Sequence, residues 1–135
     1  FARKAVEHGT KLIMSPATKT YLDMQYDSLT PLGLHWAAYI EVDQAYEWDP
    51  TTLFPGIGAD NILGLEFPLW TETVTDLKDL EFMVYPRLLG LSEISWSPKD
   101  ERNWEEYKDR LASYIPRLDA QGINYYKSPK VDWPE

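Results

Sequence analysis

The clearest strand pattern in this chain is NILGLEFPLWTE, residues 61–72. Its apolar run from Ile62 to Leu69 is nearly continuous instead of alternating, which is typical of a strand in a parallel sheet that is covered on both faces. The stretch KLIMS, residues 11–15, has the same character and stops at a Ser-Pro pair. We therefore predict two buried parallel strands, one over 11–15 and one over 61–67.

Helical patterns surround the two predicted strands. Residues 2–8 carry helix formers and stop at Gly9, a typical position for the end of a helix. Residues 16–60 are mostly irregular, with about one helical turn near 41–48. A connection of that length is usually functional, and this one is too aromatic to be disordered.

Two amphipathic helices follow the second strand. The first starts after Thr75-Asp76 and is expected to kink at Pro86. The second starts at Asn103 and stops before Gly122. Their apolar positions, which we predict to face the core, are Leu77, Leu80, Val84, Leu88 and Leu91 in the first helix and Trp104, Tyr107, Leu111, Ile115 and Leu118 in the second.

The order helix, strand, long connection, strand, helix, helix predicts an α/β fold that is part of a larger sheet. Two parallel strands cannot close a sheet, and a (β/α)8 barrel needs ~250 residues, far more than the 135 present here. We expect residues 1–135 to be a single fragment, the C-terminal portion of a (β/α)8 TIM barrel with its last two βα units and a terminal helix. The beginning FARKAVEHG, which has the character of a helix already under way, favours the same expectation. Such a fragment is incomplete as an isolated chain, and we expect it to self-associate through its exposed barrel edges.

The composition excludes several classes of partner. A net charge of −9 without a dense basic cluster makes nucleic acid and anionic membrane surfaces poor partners. The sequence has no Cys, which excludes a disulfide, a thiolate nucleophile and a Cys-ligated zinc. No apolar stretch approaches the ~18 residues of a membrane helix. We also expect no metal and no cofactor, because no ligand spacing for either is present.

Each predicted strand ends next to an aromatic ring and a carboxylate. After residues 11–15 the chain supplies Tyr21 and Asp23, and after the second strand it supplies Trp70 and Glu72. In a barrel the ligand lies at the carboxyl ends of the strands. Aromatic faces stack on the apolar face of a sugar and carboxylates accept hydrogen bonds from its hydroxyls, so these pairs predict a sugar site. Ordinary packing of the two rings and turn formation by the acids are the alternatives.

Other candidate residues favour structural roles. Asp23 and Asp27 are turn residues or weak Ca²⁺ ligands in an alternative interpretation, although they lack the pattern of an EF-hand loop. His8 and His35 have no partner pattern that indicates a metal site or a triad. Glu66, inside the second strand, is predicted to face inward and to be paired within the barrel.

Three longer segments together resemble a known family of sugar-cleaving enzymes. They are KLIMSPATKTYLDMQYD (11–27), TPLGLHWAAYIEVDQAYEWDP (30–50) and ILGLEFPLWTET (62–73). With YPRLLGLSEISWSP, NWEEYKDRL and GINYY after them, they are similar to the last third of the barrel of glycoside hydrolase family 20 β-N-acetylhexosaminidases. The resemblance implies an exo-hydrolase that removes terminal N-acetylglucosamine or N-acetylgalactosamine from glycans. It implies retaining catalysis in which the substrate's own acetamido group attacks, an exception to the two-carboxylate scheme, and an extracellular or periplasmic location.

The same resemblance implies roles for five residues. Tyr21 matches the tyrosine that hydrogen-bonds the acetamido carbonyl, and it is the catalytic residue that this chain supplies. Asp23 and Glu72 match the carboxylates that bind the 4- and 6-hydroxyls of the terminal sugar. Trp70 matches a tryptophan that lines the pocket, and Trp36 matches one near its outer edge, where a packing lid is the alternative.

The chain departs from the family at the general acid. The family's Asp-Glu pair ends the fourth strand, whereas the Asp-Glu dipeptide here, Asp100-Glu101, lies in the polar stretch SPKDERNW. We interpret Asp100-Glu101 as a solvated helix start that is stabilised by the helix dipole. We therefore expect the isolated chain to be inactive, and a non-catalytic sugar-binding or assembly module is the alternative. The aromatic excess favours such a module, but two strands with strong helices argue against its usual β-sandwich.

Overall fold

Helices and short strands alternate along residues 1–134, which are the part of the chain that the computed structural model describes. In chain order they are α1 (Ala2–Glu7), β1 (Leu12–Met14), α2 (Ala17–Thr20), α3 (Val42–Tyr46), β2 (Ile62–Leu65), α4 (Leu77–Val84), α5 (Arg87–Trp96) and α6 (Trp104–Ala120). Single 3-10 turns span Ala59–Asn61 and Lys99–Glu101. None of these helices has the length and the apolar character that crossing a membrane requires.

The two strands pair in parallel, as predicted. Leu12 lies opposite Ile62 and Met14 lies opposite Leu65, with an irregularity in the register after Leu12. Parallel neighbours need a crossover connection of a dozen or more residues, and the segment 15–61 supplies it. The carboxyl ends of β1 and β2 therefore lie side by side at one edge of the sheet.

The strands are covered on one face only, so the prediction of two buried faces is wrong for this chain. Met14 is buried, but Ile13 is 65% exposed and Leu63 is 71% exposed. Glu66 is exposed and lies two residues after Gly64, the register partner of Ile13, so it lies on the same open face. None of the ion pairs among residues 1–134 includes Glu66, and its predicted partner is therefore not found in this part of the chain. The described helices leave this face without apolar cover.

The core lies under the crossover connection and not under the strands. Met24, Tyr26, Ile40 and Val42 are almost completely buried, although the sequence pattern of this region is irregular. These side chains pack with apolar residues of α5 and α6 into one cluster. The single turn α2 escaped the sequence analysis, because four residues are too few to show a helical period.

The first late helix is broken, not merely kinked. α4 ends at Val84 and α5 begins at Arg87, while Tyr85 has an extended backbone with φ −101° and ψ 137°. Pro86 has no N–H to donate and excludes a helical conformation at the residue before it. The single kinked helix that the sequence predicted is thus two helices, separated by Tyr85 and Pro86.

The last helix follows its prediction closely. Asn103 caps α6, since its side chain accepts a hydrogen bond from the backbone N–H of Glu106 at 3.1 Å. The Tyr107 ring stacks on Tyr46 of α3 with 4.1 Å between ring centroids. Gly90 of α5 leaves the room for this contact, because a Cβ there would lie 3.1 Å from the Tyr107 hydroxyl. The predicted apolar stripe is buried at Tyr107, Leu111, Ile115 and Leu118 and partly buried at Trp104.

Candidate functional site

The two segments that follow the strands are joined to each other by hydrogen bonds. We call residues 15–41 the β1 loop and residues 66–76 the β2 loop. The backbone N–H of Leu22 in the β1 loop donates to the carbonyl of Pro68 in the β2 loop at 2.7 Å. The N–H of Gly33 donates to Thr73 Oγ1 at 2.8 Å. The parallel pairing places both loops at the same edge, and these bonds hold them in contact there.

Asp23 is a buried carboxylate with an unused oxygen. The residue is 3% exposed, and Oδ1 has no hydrogen-bond partner among the described residues. Burial raises the pKa of the Asp23 carboxyl, and the charge of Glu72 raises it further. The backbone N–H groups of Asp23 and Trp70 and the charge of Arg87 oppose this rise only in part. A buried acceptor without a partner is costly, and such a group is a candidate for binding a ligand.

Trp70 and Glu72 lie beside Asp23 and face solvent. The Trp70 side chain is 56% exposed and Glu72 is exposed. The backbone of Trp70 and the carboxylate of Glu72 both act on the pKa of Asp23. The structure thus brings together three of the five predicted residues, one from the β1 loop and two from the β2 loop.

Tyr21 and Trp36 form an aromatic pair at the same edge. Their rings meet edge to face, with 6.0 Å between centroids and an interplanar angle of 84°. Tyr21 is half-buried and precedes Leu22, the residue that bonds to Pro68. Trp36 is 65% exposed, so it is not sealed into the core of this chain as a packing lid would be.

Gly33 lies against the backbone of Asp23, and the sequence analysis overlooked it. Its φ is +90°, in the left-handed region that favours glycine. A Cβ at this position would lie 2.6 Å from the carbonyl oxygen of Asp23 and 2.6 Å from Met83 Cε. The next residue, Leu34, donates its N–H to the same carbonyl at 2.8 Å. The signal in the sequence is the lone glycine in TPLGLHW, which has no turn pattern around it.

Arg87 is the second residue that sequence reasoning missed. It is completely buried, and its guanidinium lies 3.8 Å from the centroid of the Tyr26 ring. It donates to Leu22 O at 2.6 Å and to Met24 O at 2.6 Å, the residues on either side of Asp23. The signal in the sequence is a single Arg among the apolar residues of YPRLLGL, which the helical pattern alone marks as a core position.

The remaining candidates have structural roles or lie in solvent. Asp27 forms a turn, because its Oδ1 accepts hydrogen bonds from Leu29 N and Thr30 Oγ1, both at 2.9 Å. His35 Nδ1 lies 3.1 Å from Gln25 Oε1. Asp100 and Glu101 are exposed in a 3-10 turn before α6, and His8 is exposed after α1. Within residues 1–134, no three His, Asp or Glu side chains are grouped so that they could hold a metal ion.

The geometry is suited to holding a neutral polyhydroxylated ligand. A buried carboxylate with a free oxygen and an exposed carboxylate can accept hydrogen bonds from hydroxyls. The exposed rings of Trp36 and Trp70 offer apolar faces at the same edge. A groove of about 400 Å³ between α5 and α6, lined by Glu93, Tyr107 and Arg110 among others, includes none of the five predicted residues. These five residues lie on the β1 and β2 loops, which are hydrogen-bonded to each other after the ends of β1 and β2.

The comparison with known proteins identifies one family. A family model described as glycosyl hydrolase family 20, catalytic domain, matches residues 1–99. A β-N-acetylhexosaminidase of Cellulomonas fimi is 42% identical over 130 residues, which are 96% of this chain and 26% of that protein. A β-hexosaminidase of Akkermansia muciniphila is 32% identical over 112 residues, 82% of this chain and 22% of that protein.

Solved structures agree with the family model. The GH20 β-N-acetylhexosaminidase of Streptomyces coelicolor superimposes with a TM-score of 0.94 at 51% identity, over 98% of this chain and 27% of that chain. A variant of Streptomyces plicatus β-hexosaminidase in complex with its product GlcNAc superimposes with a TM-score of 0.93 at 50% identity, over 98% and 26% of the two chains. The chain thus spans about a quarter of the length of these relatives.

Proposed function

The chain belongs to glycosyl hydrolase family 20, and from this premise we propose that it is part of a β-N-acetylhexosaminidase that removes terminal N-acetylglucosamine or N-acetylgalactosamine from glycans. The observation that carries this proposal is Asp23, a buried carboxylate with an unpaired oxygen beside Glu72 and the exposed ring of Trp70. The product GlcNAc in the related Streptomyces plicatus structure supports the class of sugar. The match to a catalytic-domain model favours an enzyme over a separate binding module.

In this proposal each predicted residue has one task. Tyr21 O–H donates to the acetamido oxygen and so orients that oxygen for attack on the anomeric carbon. That oxygen forms a bond to the anomeric carbon while the bond to the leaving group breaks, and water later reopens the oxazolinium ring with retention. Asp23 and Glu72 hold the 4- and 6-hydroxyls, and Trp70 with Trp36 lines the pocket around the ring. The acid that protonates the leaving group lies outside this chain.

The parallel pair and its helices form, in this proposal, the last two βα units and the terminal helix of a (β/α)8 barrel. The open face with Ile13 and Leu63 then points into the barrel, where other strands cover it. Location outside the cytoplasm, extracellular or periplasmic, is part of the same proposal and rests on the family. Fractionation of cells that produce the full-length protein tests it, since activity confined to the cytoplasm would contradict it.

The activity test separates the full-length enzyme from the 135-residue chain. The full-length enzyme should hydrolyse p-nitrophenyl N-acetyl-β-glucosaminide, and it should not hydrolyse p-nitrophenyl β-glucoside, which lacks the attacking acetamido group. The 135-residue chain alone should release p-nitrophenol at the background rate, because it has no Asp-Glu pair after a strand. Comparable rates on the two substrates would refute the mechanism, and turnover by the short chain would refute the assignment of the acid.

The open face of the strands predicts self-association of the 135-residue chain. Ile13 and Leu63 place two exposed aliphatic side chains on adjacent strands with free edges. In sedimentation velocity the chain should sediment as a dimer or larger, and the Ile13→Thr/Leu63→Thr variant should shift toward the monomer. Leu29→Thr, which removes an exposed Leu from the β1 loop instead, is the matched control and should leave the distribution unchanged. A monomeric wild-type chain at micromolar concentration would contradict this prediction.

A further inference from the structure

One buried side chain, that of Arg87, forms hydrogen bonds on both sides of Asp23. Arg87 Nη2 donates to Leu22 O and Arg87 Nη1 donates to Met24 O, each at 2.6 Å. These are the shortest of its hydrogen bonds, and they reach the residues immediately before and after Asp23. One planar guanidinium thus fixes two carbonyls that bracket the carboxylate.

The carbonyl between these two is held as well. Asp23 O accepts the N–H of Leu34 at 2.8 Å, and the N–H of Leu22 donates to Pro68 O at 2.7 Å. Three consecutive carbonyls in the β1 loop therefore have fixed partners. With its backbone fixed on both sides, Asp23 keeps only its side-chain torsions free, and burial restricts those.

Arg87 also connects this segment to the rest of the core. Its remaining bonds are Nη1 to Ile40 O at 3.2 Å and Nη2 to Met83 O at 2.7 Å. It forms no ion pair within residues 1–134; the carboxylates whose charges act on it are Glu41 and Asp23. A fully buried cation without a bonded carboxylate is an expensive way to stabilise a core, since apolar residues often do so better.

We propose that Arg87 is a positioning residue for sugar binding, which fixes the backbone around Asp23 so that its carboxylate is aimed at the sugar hydroxyls before the sugar arrives. Preorganisation of this kind saves the cost of ordering the carboxylate during binding. The inference rests on the proposed function, because it concerns the residue that we assign to the sugar's hydroxyls. It assigns a task to a residue that is completely buried.

A double-mutant cycle in the full-length enzyme tests the inference. Arg87→Lys keeps the charge and the apolar stem but cannot bond to both carbonyls with a planar fork. It should lower kcat/KM for p-nitrophenyl N-acetyl-β-glucosaminide by about tenfold or more. In the Asp23→Asn background the same substitution should lower kcat/KM by a much smaller factor, because Arg87 affects sugar binding only by positioning the Asp23 carboxylate.

Arg102→Lys is the matched control. Arg102 is also a buried arginine that donates to two carbonyls, those of Tyr46 and Trp48 at the end of α3. Arg102→Lys should lower the thermal unfolding midpoint, as Arg87→Lys does. Its effect on kcat/KM should be small and should be the same in the wild-type and the Asp23→Asn background. A role of Arg87 in stability alone would make the two arginines indistinguishable in this cycle.

Each outcome decides the inference. If Arg87→Lys lowers kcat/KM by the same factor in the wild-type and Asp23→Asn backgrounds, the inference is overturned. A lower kcat/KM of the Asp23→Asn single variant shows that the proposed function stands in that case. A wild-type enzyme without activity on this substrate overturns the proposed function instead. If Arg87→Lys does not fold, the rates of amide hydrogen exchange in the unsubstituted enzyme decide instead. Exchange at Leu22 and Gln25 as slow as in α5 supports the inference. Exchange as fast as at the exposed Leu29 overturns it.

Discussion

Asp23→Asn is expected to reduce kcat/KM of the full-length enzyme on p-nitrophenyl N-acetyl-β-glucosaminide by roughly thirtyfold to several hundredfold. This range corresponds to a loss of about 2–4 kcal/mol of transition-state binding, as for breaking hydrogen bonds to a charged group. The reason is that Oδ1 of Asp23 is buried and has no partner among the described residues, so that a bound sugar hydroxyl would be its first partner. Steady-state kinetics on the two proteins measures this loss.

The same substitution should make the protein more stable. Burial raises the pKa of Asp23, so the folded state holds this proton to a higher pH than the unfolded state does. The contribution of Asp23 to the free energy of unfolding therefore falls as pH rises from the ordinary pKa of 3.8 through the raised pKa. Asn has no proton to lose, so the stability of the variant relative to the wild type should increase over that pH window, and the variant should remain the more stable protein at pH 7. Thermal unfolding midpoints at pH 4 and pH 7 measure the difference.

Glu72→Gln separates binding from stability. Its side chain is exposed, so neutralising it should leave the unfolding midpoint nearly unchanged while it lowers kcat/KM by a factor similar to that of Asp23→Asn. Asp100→Asn is the control for both, because Asp100 is exposed in a 3-10 turn before α6. It should change neither quantity. If Asp23→Asn and Glu72→Gln both keep the wild-type kcat/KM, the assigned sugar contacts are wrong.

Gly33→Ala is expected to cost about 2–4 kcal/mol of stability and to remove most of the activity with it. The new methyl group would lie 2.6 Å from the carbonyl oxygen of Asp23, a backbone atom that cannot move alone, at a φ of +90° that alanine adopts only with strain. Relief of the clash must lengthen the 2.8 Å hydrogen bond from Leu34 N to Asp23 O. We therefore expect a lower unfolding midpoint and a lower kcat/KM in the same protein.

Gly58→Ala is the matched control for this prediction. Gly58 has a φ of −118° and a Cβ there would meet no atom within 4 Å, so the substitution should change stability by about 0.5 kcal/mol or less. Both variants add one methyl group. They differ in the room that is available for this methyl group and in the φ of the glycine that it replaces. Equal behaviour of the two in unfolding and in kinetics would show that the contact between Gly33 and Asp23 has no role.

The candidate site residues could be predicted from the sequence because they come after the predicted strands, and the supporting residues Gly33 and Arg87 could not. Trp70 and Glu72 come directly after an apolar run, and Asp23 comes nine positions after Met14, so the strand ends predict where these residues lie once the strands are parallel. Gly33 and Arg87 act on Asp23 from 10 and 64 positions away. No periodicity connects positions so far apart, and a core arginine has the same local pattern as any other helical residue that faces inward.

Local sequence patterns were enough to predict the parallel strands and the capped helix α6 and to reveal the ring-carboxylate pairs, since these depend on neighbours within a few residues. The folded chain was needed to show that residues of the irregular β1 loop build the core and that α4 and α5 are separate helices. It was also needed to show that one face of the strands is open and that Arg87 holds both sides of Asp23. The physical reason is that burial and long-range hydrogen bonds depend on which segments fold against each other, and local sequence patterns do not contain that information.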